Sequence, residues 1–266
     1  MKLAFSTLGC QNWSLERIVS EAAGRGFSAV EIRGIGGCME LGRIPAFLPE
    51  NRAATRKLFD AAGISICSLD TSCRFHTAGE CANAMVEGRE AVTIASDMGV
   101  PYVRVFGDFI PPEVPEKETL SCIAAGIREL CVFAENTGVQ ILLETHGDLI
   151  TPERLLAVAE KVARPEFGLI WDIDHISGCT HAEMYRAIKP YVRHVHLKDS
   201  YHAADGSTIL CLPGEGERPL ADIVRMLLAD GYDGYLSLEW EKHWHDYLPD
   251  LEIALSAYVD LLSKIN

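Results

Sequence analysis

Ile141-Leu-Leu-Glu-Thr-His146 is the stretch that decides how this chain reads. An apolar run, residues 139–143, stops there on one acidic residue, Glu144. The same design recurs in Phe167-Gly-Leu-Ile-Trp-Asp172, in Val192-Arg-His-Val-His196 and in Tyr235-Leu-Ser-Leu-Glu239. Each is a short β-type run closing on a residue able to bind a metal. Two glutamates, one aspartate and one histidine offer three oxygens and one nitrogen. In parallel neighbours of a closed barrel, the four side chains converge at the carboxyl ends, where barrel active sites form. Taken alone, each acid reads better as a polar strand terminus. The recurrence at matching places on consecutive strands is what favours a metal site.

Outward from these runs, a second pattern repeats: a helical run ends at glycine and a β-type run follows. Gly24 precedes residues 27–32, Gly63 precedes 64–69, Gly99 precedes 102–106, Gly138 precedes 139–144 and Gly231 precedes 235–239. Glycine just past a helix takes the left-handed conformation that closes it. Helix, glycine and buried strand make half of a βαβ unit. Helix starts are legible too. Thr151-Pro152-Glu153 puts an N-cap before a first-turn proline, and Thr180-His-Ala-Glu183 is a capping box. The expected strands are 2–7, 28–32, 64–69, 102–106, 139–144, 167–172, 192–197 and 235–239. The expected helices are 14–24, 51–62, 80–98, 117–137, 152–162, 181–189, 219–230 and 247–264. Strict alternation of eight and eight predicts an α/β fold, a single-domain (β/α)8 TIM barrel over residues 1–266. The rival, an open doubly wound sheet, lacks support because no G-x-G-x-x-G follows the first strand. Ile110-Pro-Pro-Glu-Val-Pro115 reads as a stiff loop over the barrel mouth.

Bulk properties agree with a barrel enzyme. The 266 residues suit one such domain, which typically takes about 250. A net charge of −14 disfavours nucleic acid or an anionic membrane as partner, since both require a basic surface. Nine cysteines without a C-x-x-C read as free thiols of a reducing, cytoplasmic environment. The opening residues, 1–10, lack the pattern of a signal peptide and read as the first strand. No stretch approaches the roughly 18 apolar residues of a membrane span. Assembly into a homo-oligomer is left open.

Asp172-Ile-Asp-His175, His194-Val-His-Leu-Lys-Asp199 and Leu238-Glu-Trp-Glu241 resemble the xylose isomerase-like TIM barrels. These include sugar phosphate isomerases/epimerases, ketose 3-epimerases, inosose dehydratases and endonuclease IV. The resemblance covers the chain in architecture and is most specific from Glu144 to Glu241. It implies Glu144, Asp172, His196 and Glu239 as ligands of one divalent metal ion. It also implies Glu144 and Glu239 as acid/base groups, with His175, Arg104 and Lys198 facing a small sugar or hydroxyketone substrate. The chemistry is coherent without the family. Moving a hydrogen beside a carbonyl requires removing a weakly acidic C–H proton, and a divalent ion stabilises the enediolate that forms. Two carboxylates on opposite faces take the proton from one side and return it from the other. Three carboxylates and an imidazole form a mostly hard site that suits Mn²⁺, Mg²⁺, Co²⁺ or Zn²⁺.

Each outlying residue also has a plainer reading. His175 could contact a helix N-terminus, and Lys198 could pair with Asp199 at the surface. Arg104, inward-facing by parity, could hold substrate or neutralise Glu31 or Glu144. His194 reads as a satisfied core histidine and His146 as a loop histidine beside the pocket. Gly214-Glu-Gly216 reads as a turn or lid, and Trp13, Trp171, Trp240 and Trp244 as residues near the mouth or in the core. The leading function is a metal-dependent sugar or sugar phosphate isomerase or epimerase. The alternative is a dehydratase of a cyclic keto-polyol, beginning with the same proton abstraction. An endonuclease would need a three-zinc cluster with histidines after the second and third strands and an Asp-x-His after the seventh. Here His76 is the only histidine of the early loops, and no Asp-x-His lies between residues 197 and 213. A barrel kept only for binding is disfavoured by the complete ligand set.

Overall fold

The computed structural model describes residues 1–265. The strands are β1 (Lys2–Ser6), β2 (Ala29–Ile32), β3 (Ser65–Arg74), β4 (Tyr102–Phe106), β5 (Gln140–Glu144), β6 (Phe167–Asp172), β7 (Val192–Leu197), β8 (Asp199–His202), β9 (Thr208–Cys211) and β10 (Tyr235–Leu238). Eight of them close a parallel barrel in the order β1-β10-β7-β6-β5-β4-β3-β2, while β8 and β9 form a separate antiparallel hairpin. The helices are α1 (Leu15–Gly24), α2 (Arg52–Ala62), α3 (Ala78–Met98), α4 (Glu116–Ala134), α5 (Pro152–Val162), α6 (His181–Ile188), α7 (Leu220–Ala229) and α8 (Leu251–Ser263). The chain is therefore the α/β barrel that the alternation predicts. No helix among the described residues is long and apolar enough to cross a membrane.

Local chemistry explains the elements. In α5, Thr151 caps the helix by accepting from the Arg154 N–H, and Pro152 starts it. In α6, Thr180 and Glu183 form both halves of the capping box. Differences from the expected boundaries have local causes. Gly24 stays inside α1, and the left-handed turn falls at Gly26, φ +79°. Helix α4 stops at Ala134 because Asn136 turns left-handed, φ +64°. Helix α8 begins at Leu251, not near 247, since Pro249 keeps the preceding residue out of helical geometry. Strand β3 runs past 69 to Arg74, through a register shift that pairs Arg74 with Phe106. The β8–β9 hairpin has no counterpart in the expected elements.

Register positions the site. Asp172 pairs with His196 and His196 with Ser237, so Glu239, two residues on, shares the inward face. Glu144 is the last residue of β5 and Asp172 of β6, His196 is next to last in β7, and Glu239 stands one past β10. The shell between barrel and helices is apolar, with Phe5, Ile32, Leu69, Val103, Leu143 and Trp171 buried there. The carboxyl half of the barrel interior is instead charged: Glu31, Asp70, Arg104, Glu144, Asp172, His194 and His196 are all buried. Isolated charges do not survive in such a place, so each must find a partner.

Candidate metal centre

One ligand atom each from Glu144, Asp172, His196 and Glu239 lies within 4.8 Å of all the others. His196 Nδ1 is 3.3 Å from Glu144 Oε1 and 3.5 Å from Glu239 Oε2, and it is buried without a hydrogen bond. A buried imidazole nitrogen left unbonded among three carboxylates is the arrangement a divalent cation completes. Three oxygens and one nitrogen fit Mn²⁺, Mg²⁺, Co²⁺ or Zn²⁺. Behind the ring, His196 Nε2 lies 2.9 Å from Glu31 Oε1, and Glu31 Oε2 lies 2.6 Å from His194 Nε2. A carboxylate behind a metal-binding histidine orients the ring and raises its basicity. His194 is thus the interior histidine that its parity predicts, and Glu31 joins the two rings.

Two cations hold the acids in place. Arg104 Nη1 donates to Glu144 Oε2 at 2.7 Å, and its Nη2 donates to the Thr71 carbonyl at 3.0 Å. Burial alone would push the Glu144 carboxyl up; Arg104 first, then His196, outweigh it and hold it at about 2. Lys198 Nζ stands 2.7 Å from Asp172 Oδ2 and 2.5 Å from Glu239 Oε2 and Glu241 Oε1. Burial opposes ionisation of Glu239 as well, but Lys198 and His196 keep it well below the usual range. One ammonium shared by three carboxylates cannot serve all of them. Burial therefore wins at Asp172, which Lys198 lowers but not enough, leaving it pushed up to about 7. Despite burial, the surrounding acids, Glu31 foremost, hold His196 well above the usual imidazole range.

Above this floor lies a cavity of about 270 Å³, lined by Glu144, Glu239, Lys198, His175, His146, Arg33, Arg74, Arg104, Phe106, Asp108, Glu241, Trp244 and Leu8. His175 borders the cavity, with Nε2 3.8 Å from Asp172 Oδ2. Among the described residues no hydrogen bond joins it to the start of α6, where His181 takes the local contact, to the Ile173 carbonyl. The rings of His175 and His146 are 4.9 Å apart, and His146 is 4.8 Å from Phe106. Burial lowers both histidines, so both are neutral at neutral pH and offer one donor and one acceptor each.

The plainer reading of Lys198 falls. Lys198 is buried among acids and does not pair with Asp199 at the surface. Asp199 instead accepts N–H bonds from Gly214, Gly216 and Arg218, tying down the segment after β7. A Cβ at Gly216 would come within 2.2 Å of the Asp199 carboxylate, which explains the glycine there. Of the tryptophans, Trp171 and Trp240 are buried core residues, Trp13 lies under the Arg17 guanidinium, and only Trp244, 57% exposed, borders the cavity. Arg33, Arg74, Asp108 and Glu241 also face the cavity without having been singled out. Arg33 and Glu241 lie two residues past Glu31 and Glu239, on the same side of their strands, which is the signal that points to them. Among the described residues the other metal-capable group is Glu31, His194 and His196, which shares His196 with the first. No metal-capable group among the described residues stands apart from these two.

Residues 19–258 match the family described as Xylose isomerase-like TIM barrel, and the chain belongs to it. Among curated proteins, the chain is 26% identical over 257 residues to fructoselysine 3-epimerase of Shigella flexneri, covering 90% of each. Among solved structures it resembles the probable 3-DHS dehydratase AsbF of Bacillus anthracis, with a TM-score of 0.82 and 18% identity over 100% of both chains. It also resembles the IOLI protein solved with a bound zinc atom, with a TM-score of 0.81 and 21% identity over 100% of this chain and 99% of that one.

Proposed function

We propose that this protein is a divalent-metal-dependent isomerase or epimerase of a sugar or sugar-like hydroxyketone, and that it moves a hydrogen beside the carbonyl. The carrying observation is the pair of buried carboxylates, Glu144 and Glu239, that flank the unbonded Nδ1 of His196 at the floor of one cavity. The 3-epimerase relative and the zinc-containing structural neighbour support the same reading. Glu144, Asp172, His196 and Glu239 would hold the ion. Once bound there, the ion would act as a Lewis acid, making the C–H beside a polarised carbonyl acidic enough for a weak base to remove.

The chain's own residues do the rest. Arg104 and Lys198 keep Glu144 and Glu239 ionised inside the barrel, the charge state from which a carboxylate can accept a proton. One carboxylate takes the proton from carbon, and the other returns one from the opposite face. His175 and His146, neutral at the rim, are placed to hydrogen-bond substrate hydroxyls. Lys198 carries the positive charge that faces oxygen atoms entering beside Glu239. Trp244 offers an aromatic face at the mouth for the C–H side of a sugar.

The test is deuterium uptake from D₂O by a panel of ketoses and inososes, with Mn²⁺, Mg²⁺, Co²⁺ and Zn²⁺ each supplied in turn. The expected result is metal-dependent deuterium at the carbon beside the carbonyl, with an epimer or isomer appearing. A dehydratase would take the same first step but lose water, so product mass separates the two. Absence of exchange across all four metals and the whole panel rejects both.

A further inference from the structure

The cavity's charged residues pair off with one exception. Arg104 is bonded to Glu144, Lys198 is shared by three carboxylates, and Arg74 lies 3.1 Å from Asp108. Arg33 lines the same cavity, is 8% exposed, and has no carboxylate within ion-pair distance among the described residues. Its Nη2 donates to Ser72 Oγ at 2.9 Å, and its Nη1 is buried with no partner. The charges around it include another cation, Arg104, and the acids Asp70, Glu87 and Glu144, none within ion-pair distance of the guanidinium; burial and Glu31 push the Asp70 carboxyl well up, which weakens it as a counter-charge. Burying a guanidinium without a directly paired counter-charge is costly, and folded chains rarely do so without a use.

The residue is also held ready. Its backbone N–H donates to Thr7 Oγ1 at 2.9 Å, and its carbonyl accepts from Gln11 Nε2 at 2.9 Å. Main chain and one side-chain nitrogen are therefore fixed before any ligand arrives, which lowers the ordering cost of binding. A planar fork of donors with unspent charge recognises carboxylate or phosphate oxygens.

We propose that Arg33 is the anion-recognising residue of this cavity and that the substrate is an acidic sugar derivative bearing a carboxylate or a phosphate. This rests on the sugar-directed reading above and narrows it. Arg104, which also faces the reaction floor, is less suited to this part, because its charge is paired with Glu144 and its Nη2 is bonded to the Thr71 carbonyl, leaving only Nε without a partner.

The test is calorimetric binding to the Mn²⁺-loaded protein of three matched probes: D-fructose, D-fructuronate and D-fructose 6-phosphate. At least one anion is expected to bind roughly 10-fold more tightly than fructose, the scale of a hydrogen bond to a charged group. Which anion wins tells carboxylate from phosphate. Arg33→Gln is expected to erase that preference, while Arg33→Lys keeps part of it. A preference that survives Arg33→Gln belongs to the metal or to Lys198 and overturns the proposal. So does no preference in the parent protein, undetectable binding of all three included. Thermal melting of the ligand-free variants supplies an independent check. Removing an uncompensated cation should leave Tm unchanged or raised, and a loss of several degrees would mark Arg33 as structural and count against the proposal. The two readings fail separately. An Arg33-dependent anion preference without deuterium exchange on any substrate sinks the isomerase; rapid exchange on neutral ketoses without that preference sinks this inference alone.

Discussion

Arg104→Met should destabilise the metal-free protein strongly, and the size of the effect follows from the pair it breaks. The Arg104 and Glu144 side chains are 3% and 2% exposed and meet at 2.7 Å. Taking one partner from such a pair leaves a buried charge unanswered, at a cost of about 3–5 kcal/mol. The bond from Nη2 to the Thr71 carbonyl is lost with it. For a chain of this size, each kcal/mol moves Tm by about 2–4 °C, so a fall on the order of 10 °C is expected. Removing both charges should be milder than removing one: Arg104→Met/Glu144→Gln should regain much of the loss, since no unpaired ion remains. Saturating Mn²⁺ should raise the Tm of Arg104→Met more than that of the parent, because the metal would then supply the cation that Glu144 lacks. At 100 times its Kd, a ligand contributes about 2.7 kcal/mol. Calorimetric melts of the three proteins, with and without metal, give every quantity. A single variant melting with the parent, or a double variant no more stable than the single, would refute the reasoning.

The remaining predictions concern the metal, the base and the partner. Glu144→Gln and Glu239→Gln should each retain metal at saturating Mn²⁺ while turnover falls by roughly 10² or more; near-full turnover under saturation would reduce that residue to a ligand. Asp172→Ala and His196→Ala should lose metal first, read by equilibrium dialysis, with activity following occupancy. Burial pushes Asp172 up to about 7 and the acids hold His196 protonated, so metal affinity should rise with pH from 6 to 8 and binding should release protons. Uptake that ignores pH across this range would contradict that charge balance. Enzyme in excess should leave abasic-site duplex DNA intact, and metal-dependent incision that Glu144→Gln abolishes would overturn this expectation.

How far the chain could be read in advance depended on how local the cause was. The strands at 102–106, 167–172 and 192–197 coincide with β4, β6 and β7: 167–172 is a continuous apolar run with a polar stop, and in the other two the apolar outward positions alternate with Arg104, His194 and His196 facing inward. The capping box at Thr180 and the proline start at 152 were equally local. The convergence of Glu144, Asp172, His196 and Glu239 was legible because β-strand parity and barrel closure convert sequence position into direction. What stayed hidden was set by distance. Lys198 lies beside Asp199 in sequence, and only the closed barrel brings three acids from β6 and the segment after β10 against it. The Glu31–His194 contact spans the barrel from β2 to β7. The hairpin of β8 and β9 pairs two strands of four residues each around a turn, too short for a periodic signal. Arg33 follows Glu31 by two residues, but its lack of a partner is a property of everything around it.

The Asp199 carboxylate begins the β8–β9 excursion and also gathers its return, through the N–H groups of Gly214, Gly216 and Arg218. Both ends of the detour are thus stapled to one side chain next to the floor of the barrel. No residue of the hairpin lines the cavity, so a change of length between 201 and 210, with Asp199 and the two glycines retained, is expected to leave His196 and Lys198 where they are.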